Sequence, residues 1–189
     1  YAPIGVGAAI AYTIAVSGLQ VLQNLAFMIV TLYVALAAFY LLVLIPVMVA
    51  FRIPIAGFFT AIKEPALIAF STTSSEAALP RAMECVEAFG VPRRIVSFIL
   101  PLGYSFNLDG TTLYLSLASV FIAQAGGIEL TWGQQLTMMV TLMLTSKGVA
   151  GVPRAALVIL AATVAQFDLP LAGVALVLGV DALMDMGRT

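Results

Sequence analysis

Asp181, Asp185 and Arg188 stand at i, i+4 and i+7, which places two carboxylates and a guanidinium on one face of a helix. A guanidinium is a planar fork that grips a carboxylate through two parallel hydrogen bonds. A carboxylate one turn away can accept a hydrogen bond from an ammonium. The same spacing equally serves an internal ion pair between Arg188 and Asp185 or Asp181. A second group is Asn107-Leu108-Asp109-Gly110-Thr111, whose Asn107 and Asp109 offer oxygens for a cation; the other reading is a structural helix break with Asp109 paired to a base. The third is the polar run Ser71-Thr72-Thr73-Ser74-Ser75-Glu76, with hydroxyls and turn N–H groups suited to an anionic ligand, although serine-rich turns are common without one. Glu76 and Lys147 could join two such polar tips in a salt bridge, or each could reach water.

Spacing ties these groups into a repeat. Thirty-five residues separate Ser74 from Asp109, and thirty-five separate Ser146 from Asp181. Ser74 and Ser146 each sit in a polar tip between two apolar arms. The second tip runs Thr145-Ser146-Lys147-Gly148-Val149-Ala150-Gly151-Val152-Pro153, where Gly148, Gly151 and Pro153 shape a tight turn. Paired interrupted segments in two halves point to a transporter's binding site.

The surroundings of these groups are apolar. The chain is 62% hydrophobic and 9% charged, with mean hydropathy +1.12 and no charge between Tyr1 and Phe51. A bilayer crossing takes about 20 apolar residues, so this stretch predicts two, divided near Ser17-Gly18-Leu19-Gln20. This composition predicts an all-α integral membrane protein. Net charge −1 argues against nucleic acid as a partner. The single Cys85 allows no internal disulfide, and with no histidine there is no imidazole base, ligand or proton relay. Any ion must be held by oxygen, which favours Na⁺ or another hard cation. No signal peptide is evident, and the chain reads as a fragment.

The elements that must carry these groups follow from the same pattern. The expected order is a helix over 1–18, a helix over 21–50, a hairpin over 54–90, a broken helix over 93–126, a second hairpin over 130–168 and a last spanning helix over 170–189. The hairpin arms are too short to cross, which predicts re-entrant loops, and irregular backbone at that depth needs protein or water to satisfy it. Gly103, Asn107, Asp109 and Gly110 predict an unwound stretch whose carbonyls are free for a cation. Arg52, Lys63, Arg81, Arg93 and Arg94 set the base of the first hairpin on the cytoplasmic side. Glu129 and Asp168 flank the second, whose base faces outward, so the two units are inverted copies. Trp132 and Tyr12 are expected interfacial anchors.

These motifs resemble the dicarboxylate/amino acid:cation symporter family, which includes the glutamate transporters. The match rests on Ser74-Ser75, on Asn107 to Thr111, on Gly148 to Pro153 and on Asp181 to Thr189, and it runs through the whole chain. It implies a homotrimer working as an elevator, with residues 1–18 in a fixed scaffold and 19–189 in a moving transport domain. It implies that Thr73, Ser74 and Ser75 bind substrate, that Thr111 and Arg188 take its side-chain carboxylate, and that Asp185 takes its amino group. Thr189 belongs to the same site, and Val152, Pro153, Arg154, Ala155 and Ala156 cover it. Gly103, Asn107 and Asp109 would serve sodium sites, with carbonyls of Ser105, Ser146, Lys147 and Val149. The chain departs from the family pattern at Leu108, where sodium-coupled members carry Met, and at Val149, where some carry Thr. Arg154 and Ala156 replace glycines of archaeal members. Thr73 and Met186 stand where archaeal and animal members, respectively, carry an arginine, which argues against potassium counter-transport.

The resulting expectation is a symporter of L-glutamate or L-aspartate, driven by Na⁺ with H⁺ as a second candidate ion, in the cell membrane. The runner-up is a C4-dicarboxylate symporter, against which Asp185 argues, since a substrate without an amino group gives it nothing to bind. An enzyme is not expected: Ser74 or Ser75 with Asp109 would have only Lys147 or a carboxylate as base. A passive channel would show uptake with no ion gradient.

Overall fold

The computed structural model describes residues 18–106, 108–147 and 155–189, with Ala8, Ala11 and Ala15. The helix expected over 1–18, Tyr12 and the second tip from Gly148 to Arg154 therefore lie almost wholly outside the described residues. Every regular element among the described residues is helical.

Helix α1 (Leu19–Phe39) runs through a wide π-helical turn (Tyr40–Leu44) into α2 (Ile45–Ala50). Pro46 has no N–H for the carbonyl four residues back, and a wider turn is the local answer to that missing bond. The stretch Gln20–Ala50 is 31 residues long, about 46 Å at helical rise, enough to cross the hydrocarbon core. Leu25, Met28, Leu32 and Leu36 face the bundle, while Phe27, Val30, Val34, Leu41 and Leu42 are exposed. A helix that is apolar on its outer face as well is built for lipid rather than water.

Helices α3 (Ile55–Thr72) and α4 (Ser75–Ala88) pack against each other across a two-residue turn. Ser74 caps α4, its hydroxyl accepting from the Ala77 N–H at 3.3 Å. Midway along the pair, Arg81 of α4 reaches both Glu64 on α3 (2.7 Å) and Glu84 (2.6 Å). Helix α5 (Arg93–Phe106) then gives way to α6 (Asp109–Ala125). The interruption is shorter than the sequence predicts: Gly103 is inside α5, and Asp109 and Gly110 already form the first turn of α6. The carbonyls of Gly103 to Phe106 still occupy the last turn, where the i→i−4 ladder runs out.

Helix α7 (Trp132–Thr145) opens with a reciprocal cap, Thr131 with Gln134. Trp132 is 82% exposed, as an interfacial anchor would be. Helix α8 (Ala155–Gln166) returns against α7. The last segment corrects the expectation of one spanning helix. It is two short helices, α9 (Ala172–Leu178) and α10 (Asp181–Arg188), broken at Gly179-Val180.

Helix α6 is the hub, packing against α1, α7, α8, α9 and α10. Tyr114, Leu115, Ala118 and Ile122 of α6 lie in the core with Met138, Leu160, Val164 and Met184. At Gly173 a Cβ would stand 2.6 Å from the Ile122 side chain, so α9 can sit this close to α6 only with glycine there.

Candidate substrate site

The break at Gly179-Val180 makes Asp181 the first residue of α10, where a carboxylate is favoured by the helix dipole. Asp181 is fully buried and accepts a hydrogen bond from the Tyr114 hydroxyl at 2.7 Å. One turn on, Asp185 pairs with the Arg188 guanidinium, and both side chains are nearly inaccessible. Arg188 Nη1 also donates to Thr111 Oγ1 at 3.1 Å, and the guanidinium lies over the Tyr114 ring, 4.6 Å from its centroid. A carboxylate, a hydroxyl and an aromatic face thus hold one buried cation. Its Nε–H has no acceptor among the described residues, so this fork keeps a spare donor. The internal ion pair allowed by the spacing is therefore present, on the same face expected to meet a ligand.

The first tip closes on this cluster. Thr73 adopts a left-handed conformation, φ 53°, which is unusual for a β-branched residue and marks local strain. Ser75 Oγ donates to the Thr189 carbonyl at 3.4 Å, and Thr189 Oγ1 donates to the Asp185 carbonyl at 2.7 Å. Glu76 accepts from the Tyr104 hydroxyl of α5 at 2.5 Å, while Lys147 is exposed. The tip-to-tip salt bridge weighed for these two residues is replaced by this bond.

Between these elements lies a cavity of about 670 Å³, within the range of small-molecule sites. Its polar end is lined by Thr73, Ser75, Asp109, Thr111, Asp185, Arg188 and Thr189, with Ala155 and Ala156 beside them. Its apolar wall comes from α1, α3, α4 and α5, including Leu36, Phe39, Phe58 and Ile62. Most substrate residues expected from the sequence thus converge. Ser74 caps α4 and does not line the cavity, and Val152, Pro153 and Arg154 lie outside the described residues.

The expected ion ligands are more dispersed. Gly103 and Asp109 line the cavity, Ser105 does not, and Asn107 and Val149 lie outside the described residues. Ser146 is fully buried, its hydroxyl 3.2 Å from that of Thr112 on α6. Lys147 is exposed and does not line the cavity. Among the described residues no three acidic or cysteine side chains gather as a metal cluster. The donors on offer are hydroxyls, carbonyls and the Asp109 carboxylate, a set suited to a hard monovalent cation.

Tyr114, Tyr104, Tyr33 and Thr112 were not singled out from the sequence. Tyr114 follows Thr111 by three residues, so it shares the Thr111 face of α6, and that spacing was the available signal. Tyr33 of α1 donates to the Leu183 carbonyl at 2.9 Å and packs where a Cβ on Gly187 would be 2.7 Å from its ring. Nothing in the local sequence marks that contact.

Charged side chains buried together in a bundle whose outer face is apolar are a costly arrangement that membrane carriers use to meet polar substrates and ions. Comparison with known proteins gives the family. Residues 1–189 match the family model described as the sodium:dicarboxylate symporter family, and the chain belongs to it. Across its full length it is 43% identical to a proton/sodium-glutamate symport protein of Geobacillus stearothermophilus, covering 45% of that protein. It is 46% identical to a proton/glutamate-aspartate symporter of Escherichia coli K12, again over all of this chain and 43% of that one. Over 99% of its length it is also 43% identical to a C4-dicarboxylate transport protein of Bacillus subtilis, covering 45% of it. The chain thus spans a little under half the length of the curated relatives it matches, and identity does not separate the two substrate classes.

Proposed function

We propose that the protein is a secondary active symporter of acidic amino acids, L-glutamate or L-aspartate, driven by Na⁺ with H⁺ as a second coupling ion. The observation that carries this reading is the pairing of Arg188 with Asp185 at the polar end of the cavity, next to Thr111. A substrate with two carboxylates and one ammonium carries the complement of both partners. Its side-chain carboxylate takes Arg188 and Thr111, and its ammonium takes Asp185. The internal ion pair then stands in for the substrate's charges while the site is empty. The backbone of the first tip and the Ser75 hydroxyl receive the second carboxylate. Ala155 and Ala156, which line the cavity, cover the substrate together with Val152, Pro153 and Arg154. Asp109 and the carbonyls around Gly103, Ser105, Asn107, Ser146, Lys147 and Val149 receive Na⁺ beside it.

In this reading residues 54–90 and 130–168 are two re-entrant hairpins entering from opposite sides, as inverted copies. Residues 19–189 belong to a transport domain that moves as an elevator against a scaffold to which 1–18 contribute, in a homotrimer. The C4-dicarboxylate reading draws on the Bacillus subtilis relative, but leaves the buried Asp185 without a ligand group. The deciding experiment is uptake of radiolabelled aspartate, glutamate and succinate by the full-length protein in liposomes, under separate Na⁺ and H⁺ gradients. Concentrative aspartate or glutamate uptake in a Na⁺ gradient is the expected result. Succinate uptake with neither amino acid transported would overturn it in favour of the dicarboxylate reading.

A further inference from the structure

The carboxylates of this chain differ in what they touch. Glu64 and Glu84 share Arg81, Glu87 lies 3.9 Å from Arg93, and Asp185 holds Arg188. Each of these four has a cation beside it. Two others accept from a neutral phenol: Asp181 from Tyr114 and Glu76 from Tyr104. Asp181 is 0% exposed inside the Arg188 cluster, whereas Glu76 is exposed on the bundle. Only the second has both a neutral partner and a route for protons.

Glu76 is also well placed to report on the substrate site. It follows Ser75 directly, in the first turn of α4. Its partner Tyr104 lines the cavity in the last turn of α5, just before the break that leads to Asp109. At 2.5 Å the Tyr104–Glu76 bond falls at the short end for a hydroxyl donating to an ionised carboxylate. It links the tip that meets substrate to the segment that carries ion ligands. Tyr104 is the one titratable residue in the second half of α5, and the last two turns of α3, Ala66 to Thr72, hold none. On its own helix the nearest charge is Arg81, already committed to Glu64 and Glu84.

We propose that Glu76 is the proton-carrying site of this transporter, and that Tyr104 positions it. The inference rests on the symport reading above and names the residue behind its H⁺ component. Ionised, Glu76 accepts from Tyr104 and ties the first tip to α5. Protonated, it no longer offers the charge that shortens that bond, and it gains a donor of its own. The tie loosens or reverses direction, so the proton bound at Glu76 and the ligands bound on either side of it bias each other reciprocally.

The test uses the full-length protein in liposomes, with glutamate uptake driven by an inward Na⁺ gradient, with and without an added inward proton gradient. In the wild type the added gradient is expected to stimulate uptake severalfold; in Glu76→Gln the ratio is expected to fall to one. A wild-type-like ratio in Glu76→Gln overturns the proposal. Na⁺-driven uptake that no pH gradient stimulates in the wild type also overturns it and leaves the symport reading standing. Absence of uptake under either gradient in the wild type brings down the symport reading itself. If Glu76→Gln does not assemble, Tyr104→Phe decides. Removing the donor to the Glu76 carboxylate should change the pH dependence of the proton-gradient stimulation; an unchanged pH dependence overturns the proposal.

Discussion

Gly110, in the first turn of α6, lies directly against the backbone of Arg188. A Cβ built there would overlap the Arg188 carbonyl and stand 3.0 Å from its Cα. Two elements remote in sequence thus meet backbone to backbone where the candidate substrate and ion residues adjoin. The contact gives Gly110 a packing reason: the residue next to the candidate ion ligand Asp109 must leave room for the helix that carries the candidate substrate ligand. Gly110→Ala should push α10 away. Overpacking of this kind costs about 1–3 kcal/mol, roughly five- to 150-fold in affinity if all of it falls on the bound state. Substrate affinity measured by uptake or by calorimetry on purified protein checks this, and an unchanged value would show that α10 tolerates the shift.

Arg188 carries the second expectation. Arg188→Cys removes the fork that suits a substrate carboxylate and also leaves Asp185 buried without its cation, a loss of about 3–5 kcal/mol for a broken buried pair. Glutamate and aspartate transport should vanish, and neutral amino acids become candidate substrates. Arg188→Lys should not restore it, because an ammonium cannot reproduce the planar two-pronged contact. Retained glutamate affinity in Arg188→Cys would remove Arg188 from the site.

Asp185 separates the two substrate classes. If it receives an ammonium, Asp185→Ser should weaken aspartate and glutamate far more than succinate, which has no such group. Competition of each compound against a common labelled substrate reads the difference. Equal weakening of all three would make Asp185 a structural partner of Arg188 and nothing more.

Tyr114 supplies a stability test independent of transport. Tyr114→Phe keeps the aromatic face under Arg188 and deletes the hydroxyl that donates to Asp181 at 2.7 Å. Leaving a buried carboxylate short of a donor costs about 1–3 kcal/mol. The melting temperature in detergent should fall accordingly. Unchanged stability would mean that another group takes over that bond.

The sequence made part of this legible and hid part. Helix positions followed from apolar runs and their polar interruptions, because a membrane chain writes its segments in composition. The face shared by Asp181, Asp185 and Arg188 followed from helical spacing, and all three stand on α10, just past the break at Gly179-Val180, with Asp185 and Arg188 paired. That break was not legible: Gly179 reads as one more small residue in an apolar run, and only packing of α9 and α10 against α6 reveals the turn. The phenols were missed for a related reason. A tyrosine in an apolar helix looks like an anchor or filler until a carboxylate from a distant segment, Glu76 or Asp181, is brought to its hydroxyl.

Asp109 carries the last expectation, and it concerns coupling. Its place in the first turn of α6 sets it at the cavity, one residue before the glycine that meets Arg188. The last carbonyls of α5 end three residues earlier, so a cation there would find backbone oxygens and one carboxylate within a short stretch of chain. Asp109→Asn keeps an acceptor oxygen and removes the charge. It should raise the Na⁺ concentration for half-maximal uptake, and it should lower apparent substrate affinity at fixed Na⁺, since ion and substrate that favour each other must do so by the same factor. Titrating Na⁺ at several substrate concentrations measures both effects together. A shift in substrate affinity that does not close at saturating Na⁺ would place Asp109 in the substrate site instead. An unchanged Na⁺ response would remove it from the ion path, leaving the buried Ser146 hydroxyl and the half-buried Thr112 hydroxyl, 3.2 Å apart, as the next oxygens to test.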